Sequence, residues 1–196
     1  MGLHLAQNVR HRKRERIIHM NYTEIIAQCF GIVGLILSTL SYQEKNNKYL
    51  FIKQGFGVLM FSLNYFMIGA LPAALFNLVN LVRGMLFLKN KRELWRLFVI
   101  VGLYIACFVL SLISIIDIPL QVILSSSTFL SLILMTVLMW LGNGKHIRYG
   151  QFFFASPVWL IHNIFNFSLG GILCELFVMT SVIVSFIKYG KDGFEK

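Results

Sequence analysis

The sequence predicts an all-α fold, a polytopic membrane helical bundle with seven transmembrane helices. Of its 196 residues, 57% are hydrophobic and 13% are charged, whereas a soluble domain is about half apolar and about a quarter charged. The mean hydropathy is +0.73. The apolar residues fall into seven runs, each near the roughly 20 residues that a helix needs to cross a bilayer. Lipid is therefore the expected environment of most of the surface.

Glycine, proline and charged residues separate the seven runs, as expected where membrane helices end. Basic connections follow the first, third and fifth runs, at residues 44–48, 89–92 and 144–148. The second and sixth runs end in short uncharged turns at residues 67–72 and 167–171, and the fourth ends in a turn with the single acid Asp117. The predicted spans are residues 24–42, 51–69, 72–88, 95–116, 120–141, 150–168 and 170–188.

The distribution of lysine and arginine predicts the orientation in the membrane. With seven spans, thirteen of the eighteen basic residues fall on the side of the C-terminus, and the other five lie in the N-terminal tail. The positive-inside rule then places the C-terminus in the cytoplasm and the N-terminus outside. Five basic residues oppose export of the tail, so we interpret the first nineteen residues as an upstream extension of a reading frame that starts at Met20. Six spans, or an N-terminus inside, is the alternative.

An internal repeat is indicated by a constant offset of 98 residues, which aligns spans one to three with spans five to seven without gaps. Asn64 then falls on His162, and Asn77 on Glu175. Two three-helix units joined by one linking helix run in the same direction, a 3+1+3 parallel-repeat (SWEET-like) arrangement. Loose loop symmetry without a true repeat is the alternative.

The expected organisation of the chain follows from this repeat. It is a basic tail (1–22), a first repeat (23–92), a linking helix (93–118), a second repeat (119–190) and a cytoplasmic tail (191–196).

Polar residues inside the spans form the candidate site, because ionisable groups are costly in a membrane and are functional by default. His162 and Glu175 flank the turn between spans six and seven at similar depth, where an imidazole–carboxylate hydrogen bond is expected. The alternative is that these groups only cross-link helices. The candidate substrate-binding residues are Asn64, Asn77, Asn80, His162, Asn163, Asn166 and Glu175.

A hinge is expected beside this polar layer. Pro157 lies inside span six and removes one backbone donor, which can kink a helix. Gly170 and Gly171, after the following turn, complete the predicted hinge. A tolerated structural proline is the alternative.

Several function classes are excluded by what the sequence lacks. It contains no HExxH motif, paired metal ligands, nucleophile elbow or phosphate-binding glycine loop, so we expect no enzyme, no cofactor and no metal. We attribute the net charge of +10 to basic residues that act as topology signals and contact lipid head groups. A nucleic-acid partner is therefore not expected. The expected partners are the lipid bilayer and a small polar solute, and a homo-oligomer is left open.

One motif resembles a known family. The segment Pro157-Val-Trp-Leu-Ile-His-Asn163, followed by Ser168-Leu-Gly-Gly171 and Glu175, is similar to the YgjV family of bacterial inner-membrane proteins, in which Trp-x-Ile/Leu-His-Asn precedes Gly-Gly and a Glu. Leu71-Pro-Ala73 and Asn77 look like the family's Pro-Ala and Asn positions, and Arg83 follows them. The resemblance covers residues 24–188 and implies an inner-membrane location.

At fold level the chain also looks like SWEET, PQ-loop and PnuC transporters. Their specificity does not transfer, because the Pro-Gln pair of a PQ-loop is absent and Ser41-Tyr-Gln43 stands near its place. The expected function is a transporter or facilitator of a small polar metabolite that works by alternating access. The alternative is a non-transporting scaffold, partner or sensor with a structural polar layer.

Overall fold

A computed structural model of the chain describes residues 22–41, 47–87, 93–142 and 144–189, and within these ranges it contains seven helices and no β-strand. The sixth helix consists of three consecutive segments, Gly144–Gly150, π-helical Gln151–Ala155 and Ser156–Asn166, together called α6. The others are α1 (Tyr22–Ser41), α2 (Asn47–Met67), α3 (Leu71–Phe87), α4 (Leu94–Ile115), α5 (Pro119–Leu141) and α7 (Leu169–Tyr189). Residues 1–21 of the predicted basic tail with its start at Met20, residues 44–46 and 89–92 of the basic connections, and the C-terminal tail lie outside the described residues.

The all-α prediction is confirmed, and each predicted span corresponds to one helix. Within the described ranges, α1, α4 and α5 are long and apolar enough to cross a membrane by length and composition, and α3 and residues 169–184 of α7 are shorter apolar helices. The main boundary error is in α6, which begins at Gly144 and not near Gly150. Residues 145–148, predicted as a loop, are helical, in keeping with the good helix propensity of Lys and Arg.

Large apolar side chains cover the outside of the bundle. Ile113 is 76% exposed, Phe98 67% and Leu130 65%. Contiguous apolar surface of this kind is unfavourable in water and favourable against lipid tails. The exposed surface is therefore that of a membrane protein.

The core forms where the helices meet around aromatic side chains. The helix α1 packs against α2 and α7, and α3 packs against α2, α4 and α5. Phe76 of α3 meets the Tyr104 ring of α4 edge to face, with ring centroids 6.1 Å apart, and both side chains are fully buried. This contact fixes α4 on the outer side of α3, away from α2 and α6.

The α2–α3 and α6–α7 hairpins end in the same turn geometry. In the first, Ala70 N–H donates to the Tyr65 carbonyl at 2.8 Å, and in the second Ser168 N–H donates to the Asn163 carbonyl at 3.0 Å. Each turn contains one left-handed residue, Gly69 (φ 80°) and Phe167 (φ 56°). The two turns are offset by 98 residues, the shift that aligns the sequence.

The left-handed residue of the α2–α3 turn is a glycine, whereas that of the α6–α7 turn is a phenylalanine whose turn is stabilised by a side chain of α1. A left-handed backbone costs a non-glycine residue about 1–2 kcal/mol. The Gln28 side-chain amide donates to the Phe167 carbonyl at 2.6 Å, and its oxygen accepts from Leu169 N–H at 2.9 Å. Gln28 thus stabilises the turn from both sides and attaches α1 to the second hairpin.

Candidate functional site

A cavity of about 450 Å³ lies between the helices and is lined by every helix except α4. It runs from Tyr65 and Gly171 to Met85 and Phe87 near the C-terminal end of α3, where Met85 is 54% exposed. The cavity therefore opens towards the end of the bundle that holds the α1–α2, α3–α4 and α5–α6 connections. Its polar lining comes from Ser38, Gln54, Tyr65, Asn77, Asn80, Arg83, Gln151, Trp159 and Glu175.

Glu175 lines this cavity from α7. It forms a side-chain hydrogen bond with Ser156, and Ser156 Oγ accepts a hydrogen bond of 2.9 Å from Gln151 Nε2. The second carboxyl oxygen, Oε2, is buried and has no hydrogen-bond partner. A buried unpaired carboxyl oxygen is costly, and a hydrogen-bond donor placed beside it would reduce that cost.

His162 does not meet Glu175, contrary to the expectation from depth. Its ring lies against Asn166, whose Nδ2 is 3.3 Å from Nε2, and against the rings of Trp159 and Tyr65 at centroid distances of 5.6 and 6.1 Å. Counting residues from a turn fixes the depth of a Cα atom, but it does not fix the direction of the side chain. Here Glu175 points to Ser156, and His162, 1% exposed, lies behind two rings that line the cavity.

The end of the cavity farthest from Met85 is closed by a hydrogen-bonded cluster between the two hairpins. We call it the closing cluster, and it consists of Tyr65, Asn64, Asn163 and Ser168. Tyr65 Oη donates to Asn163 Oδ1 at 2.7 Å, and Ser168 Oγ donates to Asn64 Oδ1 at 2.6 Å. Asn64 Nδ2 also donates to the Ala27 carbonyl of α1 at 2.7 Å. Asn64 and Asn163 are at most 1% exposed, so these predicted site residues belong to the closed end and not to the cavity wall.

Close helix packing, not a turn, explains Gly170 and Gly171. Both lie in the first turn of α7. A Cβ atom on Gly170 would lie 2.3 Å from the carbonyl carbon and oxygen of Gly31, and one on Gly171 would lie 2.7 Å from the Asn163 side-chain amide. The predicted hinge glycines therefore allow α7 to approach α1 and α6, and the turn itself is made at Phe167.

Pro157 follows directly after the π-helical turn of α6. The N–H of Ser156 donates to the Gln151 carbonyl, five residues back. Pro157 cannot donate, and its ring would clash with the carbonyl four residues back in a regular α-helix. The π-helical turn accommodates this clash, and such turns often lie at functional sites.

Three polar residues of α3 share one face, at intervals of three residues, and line the cavity. Asn77 Nδ2 donates to the Ala73 carbonyl at 3.0 Å, and Asn80 Oδ1 accepts from the Tyr104 hydroxyl at 2.6 Å. Arg83 Nη1 donates to Thr136 Oγ1 at 3.3 Å, and its Nε is buried without a partner.

Asn166, at the end of α6, does not line the cavity. Its Oδ1 accepts a hydrogen bond from Gln121 Nε2 of α5 at 2.9 Å.

The structure thus divides the predicted site. It brings Asn77, Asn80 and Glu175 to the cavity, and it places Asn64, His162, Asn163 and Asn166 outside the cavity lining. Sequence reasoning missed the contributions of Arg83, Gln151, Tyr65 and Trp159. Arg83 is not among the candidate residues from the sequence, although its spacing from Asn77 and Asn80 is a usable signal of a shared helix face.

Among the described residues, no three His, Cys, Asp or Glu side chains are grouped so that they could hold a metal ion. Comparison of the chain with curated proteins and with solved structures gives no match in either. A family model described as Imp-YgjV, bacterial inner membrane protein, matches residues 25–192. Those residues include all seven helices except the first three residues of α1. The chain belongs to the Imp-YgjV family of bacterial inner membrane proteins.

Proposed function

We propose that the chain is a transporter or facilitator that moves a small polar metabolite across the inner membrane by alternating access. The observation that carries this is the cavity of about 450 Å³, which has polar side chains in a largely apolar wall and lies between the first three and the last three helices. It is open towards one end of the bundle and closed at the other by side-chain hydrogen bonds. This is the arrangement that one inward-facing or outward-facing state of a transporter requires.

A repeated architecture supports this proposal. The α2–α3 and α6–α7 turns have their left-handed residues at Gly69 and Phe167, and the helices after them, α3 and α7, begin at residues 71 and 169, so both features are offset by 98 residues. This offset exchanges α1 with α5 and α3 with α7. It therefore turns the contact between α1 and α7 into the contact between α5 and α3, and both contacts are present. This pattern favours two parallel three-helix repeats joined by α4, related by an approximate two-fold axis.

The proposed orientation has seven spans and a cytoplasmic C-terminus. The open end of the cavity then faces the cytoplasm, since the basic connections lie at that end. The polar groups of α3 and Glu175 would hold the solute, and the closing cluster would separate it from the outside. Movement of one three-helix unit against the other would break the Tyr65–Asn163 hydrogen bond and close the cytoplasmic end.

A non-transporting scaffold remains the competing class, and the cavity walls distinguish it. A scaffold needs its polar residues only as contacts between helices. Glu175 Oε2 and Arg83 Nε make no such contact, and both residues line the cavity with Asn77. Buried atoms without a partner also occur outside the cavity, as at Ser125 Oγ and Trp140 Nε1, so it is the position of Glu175, Arg83 and Asn77 in one cavity that favours solute binding.

Uptake into proteoliposomes tests the proposal. Vesicles with the reconstituted protein are compared with empty vesicles for uptake of radiolabelled amino acids, sugars, polyols, nucleosides and carboxylic acids. We expect uptake of at least one class, and Glu175→Gln should reduce it about tenfold or more, since a hydrogen bond to a charged group contributes about 1.5–3 kcal/mol. Glu24→Gln, outside the cavity lining, is the matched control. Uptake no greater than that of empty vesicles across all classes would overturn the proposal.

A further inference from the structure

One acidic and one basic side chain line the cavity without pairing with each other. Glu175 projects from α7 and bonds to Ser156, and Arg83 projects from α3 and bonds to Thr136 of α5. In the part of the chain that the structure describes, no ion pair joins them. Each keeps one buried atom without a hydrogen-bond partner, Glu175 Oε2 and Arg83 Nε.

Unpaired charged groups at a low-dielectric site are unfavourable unless something compensates them. The contacts that each side chain makes within the bundle leave one of its buried polar atoms without a partner. Their separation within one cavity leaves an acceptor for a cation and a donor for an anion. The two groups come from different halves of the chain, so a ligand that contacts both bridges the halves.

We propose that the cavity binds a zwitterionic solute of amino-acid size, with its ammonium group at Glu175 and its carboxylate at Arg83. This rests on the proposed function, whose substrate class it names. The volume of about 450 Å³ lies in the usual range for small-molecule sites, about 300–1,000 Å³. Asn77 and Asn80, on the same face of α3 as Arg83, supply amide groups along the wall.

Other solute classes fit this pair of charges less well. A sugar or polyol would leave both charges uncompensated. An anion would pair with Arg83 but would be repelled by Glu175, and a simple amine would meet the reverse problem. A guanidinium offers paired donors for a carboxylate, so Arg83 selects the acidic end of the solute better than a lysine would.

Binding to the full-length protein in detergent tests this inference. The probes are the twenty protein amino acids, γ-aminobutyrate and 6-aminohexanoate, measured by thermal stabilisation and then by titration calorimetry. For each zwitterion that binds, the carboxamide and the N-acetyl derivative are compared. We expect each derivative, which lacks one charge, to bind about tenfold more weakly or worse, because each loses one charge-assisted contact.

Two variants assign the ends of the solute. Glu175→Gln should weaken binding of the zwitterion and abolish its advantage over the N-acetyl derivative, while its advantage over the carboxamide remains. Arg83→Gln should do the reverse. Glu24→Gln and Arg148→Gln, outside the cavity lining, are the matched controls and should bind as the unmodified protein does.

The outcomes separate this inference from the proposed function. Uptake and binding of sugars or polyols without any zwitterion would overturn the inference and leave transport standing. A zwitterion whose derivatives bind equally well would also overturn it. Absence of both binding and uptake for every probe would overturn the two together.

Discussion

Tyr65 Oη donates a 2.7 Å hydrogen bond to Asn163 Oδ1, and the two residues are separated by 98 positions in the chain. This separation equals the offset that aligns the two proposed repeats. Residues equivalent in two repeats touch each other only near the axis that relates the repeats. The hydrogen bond therefore lies where the proposed halves meet, at the closed end of the cavity, and relative movement of the halves would strain it.

Tyr65→Phe removes this hydrogen bond without changing the ring. We expect a loss of about 1 kcal/mol in the free energy of unfolding, the usual scale of a hydrogen bond between membrane helices, measured by denaturation in mixed detergent micelles. Tyr22→Phe, whose ring is 85% exposed, is the control and should change stability little. Equal effects of the two substitutions would contradict a structural role for the Tyr65–Asn163 bond.

Gly170→Ala tests the close contact of α7 with α1. The added Cβ would lie 2.3 Å from Gly31 backbone atoms, and backbone cannot move aside as a flexible side chain can. We expect a loss of about 3 kcal/mol or more, seen as a lower unfolding midpoint or a lower yield of folded protein. Gly102→Ala, where a Cβ meets nothing within 4 Å, should be neutral or slightly stabilising because alanine favours helices.

Gly69→Ala tests the turn between α2 and α3. A Cβ at Gly69 also meets nothing within 4 Å, but its φ of 80° disfavours any residue with a side chain. We expect a cost of about 1–2 kcal/mol, measured by unfolding beside Gly102→Ala. Since neither alanine meets a neighbour, the difference in unfolding free energy between the two variants reports the effect of backbone conformation alone. No difference would mean that the turn adapts.

Cys174 provides a native probe of the cavity, which it lines from α7. In the Cys29→Ser, Cys107→Ser background, a membrane-impermeant methanethiosulfonate should label Cys174 in inside-out vesicles and not in intact cells, if the cavity opens to the cytoplasm. The additional change Cys174→Ser should abolish labelling. Labelling only from outside would reverse the proposed orientation.

Tyr65→Phe in the same cysteine background tests whether the closing cluster blocks access to Cys174 from the outside. Without the hydrogen bond the closed end should open more often, so labelling of Cys174 from the outside should rise by several-fold while labelling from the inside remains. Unchanged outside labelling would show that the other contacts of the cluster hold the end closed by themselves. Those contacts include Ser168 Oγ to Asn64 Oδ1 at 2.6 Å.

Much of the fold was predictable because its signals are local. Apolar runs of span length and the glycines and prolines between them located seven helices, and the Trp159–Glu175 motif indicated the family. The same local signals failed at the start of α6, where a basic segment was read as a loop. At Phe167 a non-glycine residue takes a left-handed conformation, which its own sequence gives no reason to expect.

By itself the sequence determined the helices, the membrane environment and the residues that are polar at depth, since each depends on side-chain chemistry along a single segment. Only the tertiary structure decided which polar groups meet. It placed Glu175 with Ser156, and it separated His162 from the cavity behind Trp159 and Tyr65. The physical reason is that the direction of a side chain around its helix depends on close packing with other helices, such as Gly170 on Gly31, and residues distant in the chain fix that packing.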